Sequence, residues 1–203
     1  MAIEIKKLDK KDFGKAIDFA IEGMNFDKYI DNKFALRLYG RFFLYTELER
    51  STQVLAAYMD DKLVGILMAD IKNEPKHYSS IWRKMYIQIF EILMSILSIN
   101  GADTYDVANK EMFEEYSKDI TPDGEICFLA TDPTIHRKGI GTILINEISK
   151  RERNKLIYLY TDDNCTYQFY EKMGFKRDKE KVIKMEIAGK DIPLTCLLYS
   201  KLL

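Results

Sequence analysis

Apolar and polar residues alternate over AIEIKKL, Ala2 to Leu8, and that period of two predicts a strand. Asp9 can then cap a helix in which Phe13, Ile17 and Ala20 recur at helical spacing. A second helix is expected over about 28–48, with Phe34, Tyr39, Phe42, Phe43 and Tyr45 along it. TQVLAAYM and LVGILMADI flank the short DDK, which predicts two strands joined by a tight turn. Helical spacing returns over about 77–98 and again over about 106–118, before Pro122, Asp123 and Gly124 break the pattern.

EICFLAT, 125–131, is the next expected strand. A helix over 140–153 follows, with Ile140, Ile143, Leu144 and Ile148 on one face. Lys150, Arg151 and Arg153 sit near its C-terminal end, where cations suit the helix dipole. KLIYLYT, 155–161, reads as a strand, and DDNC is expected to cap a helix that ends at Gly174. VIKMEI and PLTCLLY, joined across 188–192, read as a closing hairpin.

This order predicts an α/β (α+β layered) plan, a mixed central β-sheet flanked by helices. A helical insertion, about 74–120, falls between strands 3 and 4. The 203 residues suit a single domain, 1–203, with no repeat or linker in view. MYIQIFEILMSILSI, 85–99, is too short to span a membrane and carries Gln88 and Glu91, so no membrane anchor is expected. The block from 81 to 99 is apolar on nearly every side. It asks for cover by another element or another subunit, which leaves monomer and homodimer both open.

Lys plus Arg number 31 against 32 Asp plus Glu. That balance gives no global attraction to nucleic acid or an anionic membrane, so any anion site must be local. Cys127, Cys165 and Cys196 form no CxxC pair and are expected to be free thiols of a reducing, cytoplasmic setting. His77 and His136 have no metal-ligand spacing, so no metal is expected. MAIEIKKLDK has no apolar core of the kind a signal peptide needs.

One stretch breaks the bland picture. DPTIHRKGIGTILINEI, 132–148, sets Gly139 and Gly141 just behind two cations at the mouth of a helix. A helix N-terminus leaves backbone N–H groups unpaired and partly positive, and glycines let that backbone curl around an anion. A phosphate cradle and a bare strand-to-helix turn both fit. No GK[ST] follows, so this is not a Walker loop, and the third glycine of a dinucleotide fingerprint is missing.

LATDPTIHRKGIGTILI, followed downstream by NCTYQFYEKMGF, resembles the GNAT superfamily of acyl-CoA-dependent N-acyltransferases. That family has a [QR]-x-x-G-x-[GA] loop after its fourth strand, and an N…Y-x-x-x-G-F segment about a strand and a helix later. Here the loop reads HRKGIG, 136–141, with His136 in the slot usually held by Gln or Arg. The later segment runs from Asn164 through Tyr170 to Gly174 and Phe175. The match is strong over about 125–175, and the helical block upstream departs from the minimal family plan.

The resemblance implies a GNAT fold and acetyl transfer from acetyl-CoA (coenzyme A) to a primary amine, small-molecule or protein, by direct attack in a ternary complex. N–H groups of Arg137, Lys138, Gly139, Ile140, Gly141 and Thr142 would hold the pyrophosphate. The backbone of Leu129, Ala130 and Thr131 would run beside the pantetheine arm, with the oxyanion donor an N–H near Leu129 or Ala130. Asn164 would support the pantetheine or cap a helix. Tyr170 matches the tyrosine that faces the sulfur, and Glu125 falls where some members carry a catalytic glutamate.

Cys127 has no histidine spaced near it, so a packed thiol is expected there rather than a nucleophile. For the acceptor, the segment 24–29 and the helical block flank the expected cleft. Glu22, Asp27, Asp31 and Asp123 could attract an amine. Tyr39, Phe42, Phe43, Tyr45, Trp82, Tyr86 and Phe90 could line a pocket or simply form core. The alternative to an enzyme is a non-catalytic CoA-binding or regulatory module, which would bind acetyl-CoA without transferring acetyl.

Overall fold

The computed structural model describes residues 2–28, 30–96, 103–135, 139–187 and 190–203, with side chains described for all of these except 103, 185–187 and 190–192. The chain divides into two compact units, residues 1–90 with 126–152, and 91–125 with 153–203.

In the first unit, β1 (Ile3–Lys6) pairs antiparallel with β2 (Gln53–Met59), which in turn forms a hairpin with β3 (Lys62–Ile71). The hairpin turn holds Asp60 and Asp61 at φ +50° and +59°. Two left-handed residues make the turn whose twist matches a hairpin, and Asp tolerates that conformation better than most. The next strand is β4 (Gly124–Thr131).

Two helices cover one face of this ladder. α1 (Phe13–Gly23) buries Ala16, Ile17, Phe19 and Ala20, and α2 (Lys33–Arg50) buries Leu44 and Leu48. They pack on Val54, Ala56, Ile66, Met68, Phe128 and Ala130. The cap expected of Asp9 falls one element early: it accepts the Lys11 N–H of a 3₁₀ turn at 10–12, and α1 grows out of that turn. α2 starts later than expected because Asn32 caps it, accepting from the Phe34 and Ala35 N–H groups at 3.0 Å each.

The helical block holds α3 (Ile81–Ile96) and α4 (Asp103–Tyr116). α3 is fastened to α2: Arg83 Nε donates to Glu49 at 2.8 Å, the Tyr86 hydroxyl to the Leu38 carbonyl, and Phe90 stacks on Phe42 at 4.6 Å. Of the aromatic residues expected to be either pocket or core, Phe90 is buried, while Tyr39, Phe42, Phe43, Tyr45 and Tyr86 are half-buried. Trp82 is the exception, since it is 74 % exposed. α5 (Ile140–Arg151) buries Ile140, Leu144, Ile145 and Ile148.

In the second unit, β5 (Leu156–Asp162) pairs antiparallel with β7 (Lys190–Leu202), which pairs with β6 (Lys176–Ile187). The closing hairpin is longer than expected, and residues 188–189 between its strands lie outside the described residues. The first residues of β4, Gly124 and Glu125, run parallel to Ile157 and Tyr158 of β5. α4 packs Ala108, Met112 and Tyr116 on Ile183, Leu194, Cys196 and Leu198. Strand by strand, the order is β1-β2-β3-β4-β5-β7-β6, a mixed seven-stranded sheet.

Among the described residues, no helix is long and apolar enough to cross a membrane, and no group of three or more His, Cys, Asp or Glu could hold a metal.

Candidate active site

β4 sorts its side chains by parity. Ile126, Phe128 and Ala130 are buried, while Glu125, Cys127, Leu129 and Thr131 are half-buried. Cys127 is thus on the less enclosed side of the strand, not the packed thiol that was expected. The strand ends in an anchored turn. The Asp132 N–H donates to the Val64 carbonyl of β3 at 2.9 Å. Its side chain, almost wholly buried, accepts from the Thr134 N–H at 2.9 Å and the Thr134 hydroxyl at 2.6 Å, and pairs with Lys15 of α1 at 3.0 Å. Burial works against the charge, but the Thr134 and Lys15 bonds outweigh it and hold the carboxyl below the ordinary carboxylate range.

The turn delivers the chain to Gly139, which caps α5 at φ +63°, ψ +26°. A Cβ built there would meet none of the described residues within 4 Å, and the left-handed backbone is what calls for glycine. Gly139 has no side chain with which to cap the helix, and the first turn has no acidic residue. The Ile143 N–H closes a helical bond onto the Gly139 carbonyl. The N–H groups of Ile140, Gly141 and Thr142 have no carbonyl a turn upstream within the helix. Gly65 of β3 lets this helix end come close: a Cβ there would sit 2.7 Å from Ile140 Cγ2 and 3.2 Å from Leu144 Cδ1. The assembled feature is a partly positive helix terminus at the exit of a strand, begun by a left-handed glycine and with no side-chain cap among the described residues.

The second unit carries the other expected groups. Glu125 accepts from the Tyr158 hydroxyl at 3.0 Å, and Tyr158 is packed against Phe113 with ring centroids 4.9 Å apart. Asp123 is occupied structurally, since its carboxylate accepts the Leu156 N–H at 2.7 Å.

α6 (Gln168–Lys172) is a short helix whose N-cap is Tyr167, with no side-chain cap bond. The capping role expected of DDNC is therefore absent from α6, and that alternative for Asn164 falls. Asn164 is exposed, and its backbone N–H donates to Asp162 at 2.9 Å. α6 ends as expected at Gly174, φ +82°: the Phe175 N–H reaches the Tyr170 carbonyl and the Gly174 N–H the Glu171 carbonyl. That pair of bonds is a Schellman motif, which needs a left-handed residue.

Tyr170 on α6 is held by rings, with centroids 5.4 Å from Phe169, 5.9 Å from Phe175 and 6.4 Å from Tyr199. Burial raises its phenol well above the ordinary tyrosine value, and Cys165 adds to the rise. α6 is tied down around it: Tyr199 donates to Glu171 at 2.8 Å, Arg177 to Glu171 at 2.9 Å, and Lys201 to the Met173 carbonyl at 2.7 Å. Burial, then the charge of Asp162, pushes the Cys165 thiol up to about 11 and Cys196 to about 12. Neither is a ready nucleophile.

Of the expected site residues, Leu129, Ala130, Thr131, Gly139, Ile140, Gly141 and Thr142 are brought together in the first unit by β4, its turn and α5. Glu125, Asn164 and Tyr170 lie in the second unit, where Glu125 is on β4 and Tyr170 on α6. His136, Arg137 and Lys138 lie outside the described residues. Asp132, Lys15 and Gly65 were missed by sequence reasoning, as was Tyr158. The Asp-x-Thr of 132–134 was the one local signal, since an Asp two residues before a Thr N–H suits a side-chain-capped turn.

Residues 107–177 match the family model described as an acetyltransferase (GNAT) domain. No curated protein gives a significant match. Among solved structures, the chain is similar to a histone acetyltransferase HPA2 and related acetyltransferase from Corynebacterium glutamicum, at TM-score 0.57 and 16% identity over 98% of this chain and 96% of that one. It is similar to the PaiA N-acetyltransferase of Thermoplasma acidophilum, solved in complex with coenzyme A, at TM-score 0.51 and 19% identity over 96% and 98%. It is also similar to Arabidopsis thaliana NAA60, solved with a bisubstrate analogue, at 0.53 and 16% over 98% and 97%. The resemblance drawn from HRKGIG and the Tyr170 segment is borne out: the fold is the GNAT fold, and a GNAT acetyltransferase domain match lies within it.

Proposed function

We propose that this protein is an acetyl-CoA-dependent N-acetyltransferase that moves acetyl to a primary amine, on a small molecule or a protein, by direct attack in a ternary complex. The observation that carries the reading is the N-terminus of α5, where a left-handed Gly139 starts a helix that has no side-chain cap, and no atom within 4 Å of a built Gly139 Cβ, among the described residues. Such a terminus suits the pyrophosphate of coenzyme A, which would take the N–H groups of Gly139 to Thr142, with Arg137 and Lys138 adding charge. The backbone of Leu129 to Thr131 would bond along the pantetheine arm, and Asn164 would support it.

Transfer needs three things from this chain. The amine arrives as ammonium and must lose a proton, which Glu125 takes. The Tyr158 hydroxyl, donating to Glu125 at 3.0 Å, would orient that carboxylate. The amine nitrogen attacks the thioester carbon, and a backbone N–H near Leu129 or Ala130 steadies the oxyanion. Collapse breaks the carbon–sulfur bond, and the thiolate leaves with a proton from Tyr170. Tyr170 is protonated at neutral pH, as an ordinary tyrosine is, and burial makes its phenol a weaker acid. The three free thiols fit a reducing, cytoplasmic setting.

Steady-state acetyl transfer by a Tyr170→Phe variant is the test. We expect kcat lower by about a hundredfold with acetyl-CoA affinity within a few-fold of wild type. An unchanged kcat removes Tyr170 from the chemistry. Glu125→Gln should lower kcat/KM on the amine that is acetylated, and an unchanged kcat/KM removes Glu125.

A further inference from the structure

We propose that the outer face of α3 is a self-association surface, covered in solution by the same helix of a second copy of this chain. The inner face of α3 is already used, through Arg83, Tyr86 and Phe90 on α2. The outer face carries Ile81, Trp82, Met85, Ile89, Ile92, Leu93 and Ile96, each between 44 and 75 % exposed. At 100° per residue these seven fall within about 120° of arc, a single stripe. Five of them, Trp82, Met85, Ile89, Ile92 and Ile96, step along the chain by three, four, three and four residues. That is the a/d spacing of a helix that seats its knobs in the holes of another helix, a narrower pattern than a merely amphipathic surface has.

The choice of occupant follows from charge and area. Gln88 and Ser95 flank the seam on one side with Ile81, and Tyr86 and Leu93 on the other, all uncharged. Lys84 and Glu91 fall outside it. A second copy therefore meets the stripe with no like charges opposed and no charge left to desolvate, as an isologous interface demands. Seven such side chains at these exposures present on the order of 900 Å² of apolar surface per copy, against about 800 Å² per partner in a standard stable interface. A membrane surface is a poorer occupant. Interfacial helices carry a strongly basic polar face, whereas Lys84 is offset by Glu91 and the chain has a net charge of −1.

The test is sedimentation velocity of the full chain over a concentration series, beside Ile89→Lys and Ile92→Glu variants. Wild type is expected to be dimeric at micromolar concentration. Each variant should weaken the dimer by about a hundredfold or more, because it buries a charge facing its own copy, with thermal unfolding of the monomer unchanged. Ile89→Cys, at the middle of the seam, should give a disulfide-linked dimer on mild oxidation. A wild type still monomeric at about 100 μM overturns the proposal, and if that monomer floats with anionic phospholipid vesicles the face belongs to a membrane. A dimer that survives both charged variants also overturns it, since the interface then lies elsewhere.

Discussion

Replacing Gly139 separates what its backbone needs from what a ligand needs. At φ +63° an L-residue pays about 1–2 kcal/mol for the left-handed conformation. Among the described residues nothing lies within 4 Å of the added Cβ, so they add no steric cost. Gly139→Ala should therefore lower stability by roughly 1–2 kcal/mol, a fall in melting temperature of a few degrees for a chain of this size. Gly139→Asn should cost less, because Asn visits this region more readily.

Acetyl-CoA affinity should rank Ala and Asn the other way. A methyl in the cradle keeps the pyrophosphate from the N–H groups of Ile140 to Thr142, at a cost of at least about tenfold, or 1.4 kcal/mol. The larger Asn side chain obstructs more. Thermal melts should thus give Gly above Asn above Ala, and titration calorimetry Gly above Ala above Asn. If affinity follows the stability order, or stays within twofold throughout, Gly139 shapes a turn and nothing more.

Asp132→Asn keeps acceptors for Thr134 but loses the ion pair with Lys15, which is 42 % exposed and so worth only about 1 kcal/mol. Because the folded Asp132 carboxyl is held below its ordinary value, its contribution is complete above the unfolded pKa, about 3.9, and fades as pH falls through the lower folded value. Denaturant melts at neutral pH and near pH 2 should show the wild-type advantage at neutral pH shrinking in acid; a pH-independent gap refutes the assignment. Cys165, raised to about 11, is almost wholly protonated at pH 8. Its alkylation by iodoacetamide, followed by peptide mass, should be about a hundredfold slower than that of an ordinary thiol near 8.5 and should accelerate as pH rises toward 11. Alkylation at the ordinary rate would mean that the site is open.

What the sequence made legible depends on how local each cause is. The Asp60–Asp61 turn, the Gly139 bend and the Gly174 stop each follow from one backbone conformation, and each appears where the residues point. Element order was legible for the same reason, since period and punctuation are read within a dozen residues. Helix starts were less so: Asn32 outbid the aromatic run that suggested an earlier start to α2, and Asp9 caps a 3₁₀ turn before α1.

The buttress of the glycine turn was not legible, because Lys15 and Val64 are remote in sequence from Asp132 and only the fold joins them. Gly65 reads as a weak spot in a strand until Ile140 is found above it. In α3, hydrophobic period marked the helix but could not assign its faces. Phe90 went to the core and Trp82 to the surface, though both are aromatic residues of the same helix.

The most direct test of the account is acetyl transfer itself: wild-type protein with acetyl-CoA and a panel of primary amines and peptide N-termini, read by CoA thiol release and by mass of the amine product. The account predicts that at least one amine gains an acetyl group in step with CoA released, and that Tyr170→Phe slows it. Tight binding of acetyl-CoA with no acetylated product from any amine would contradict it, and would leave a module that holds the cofactor without using it.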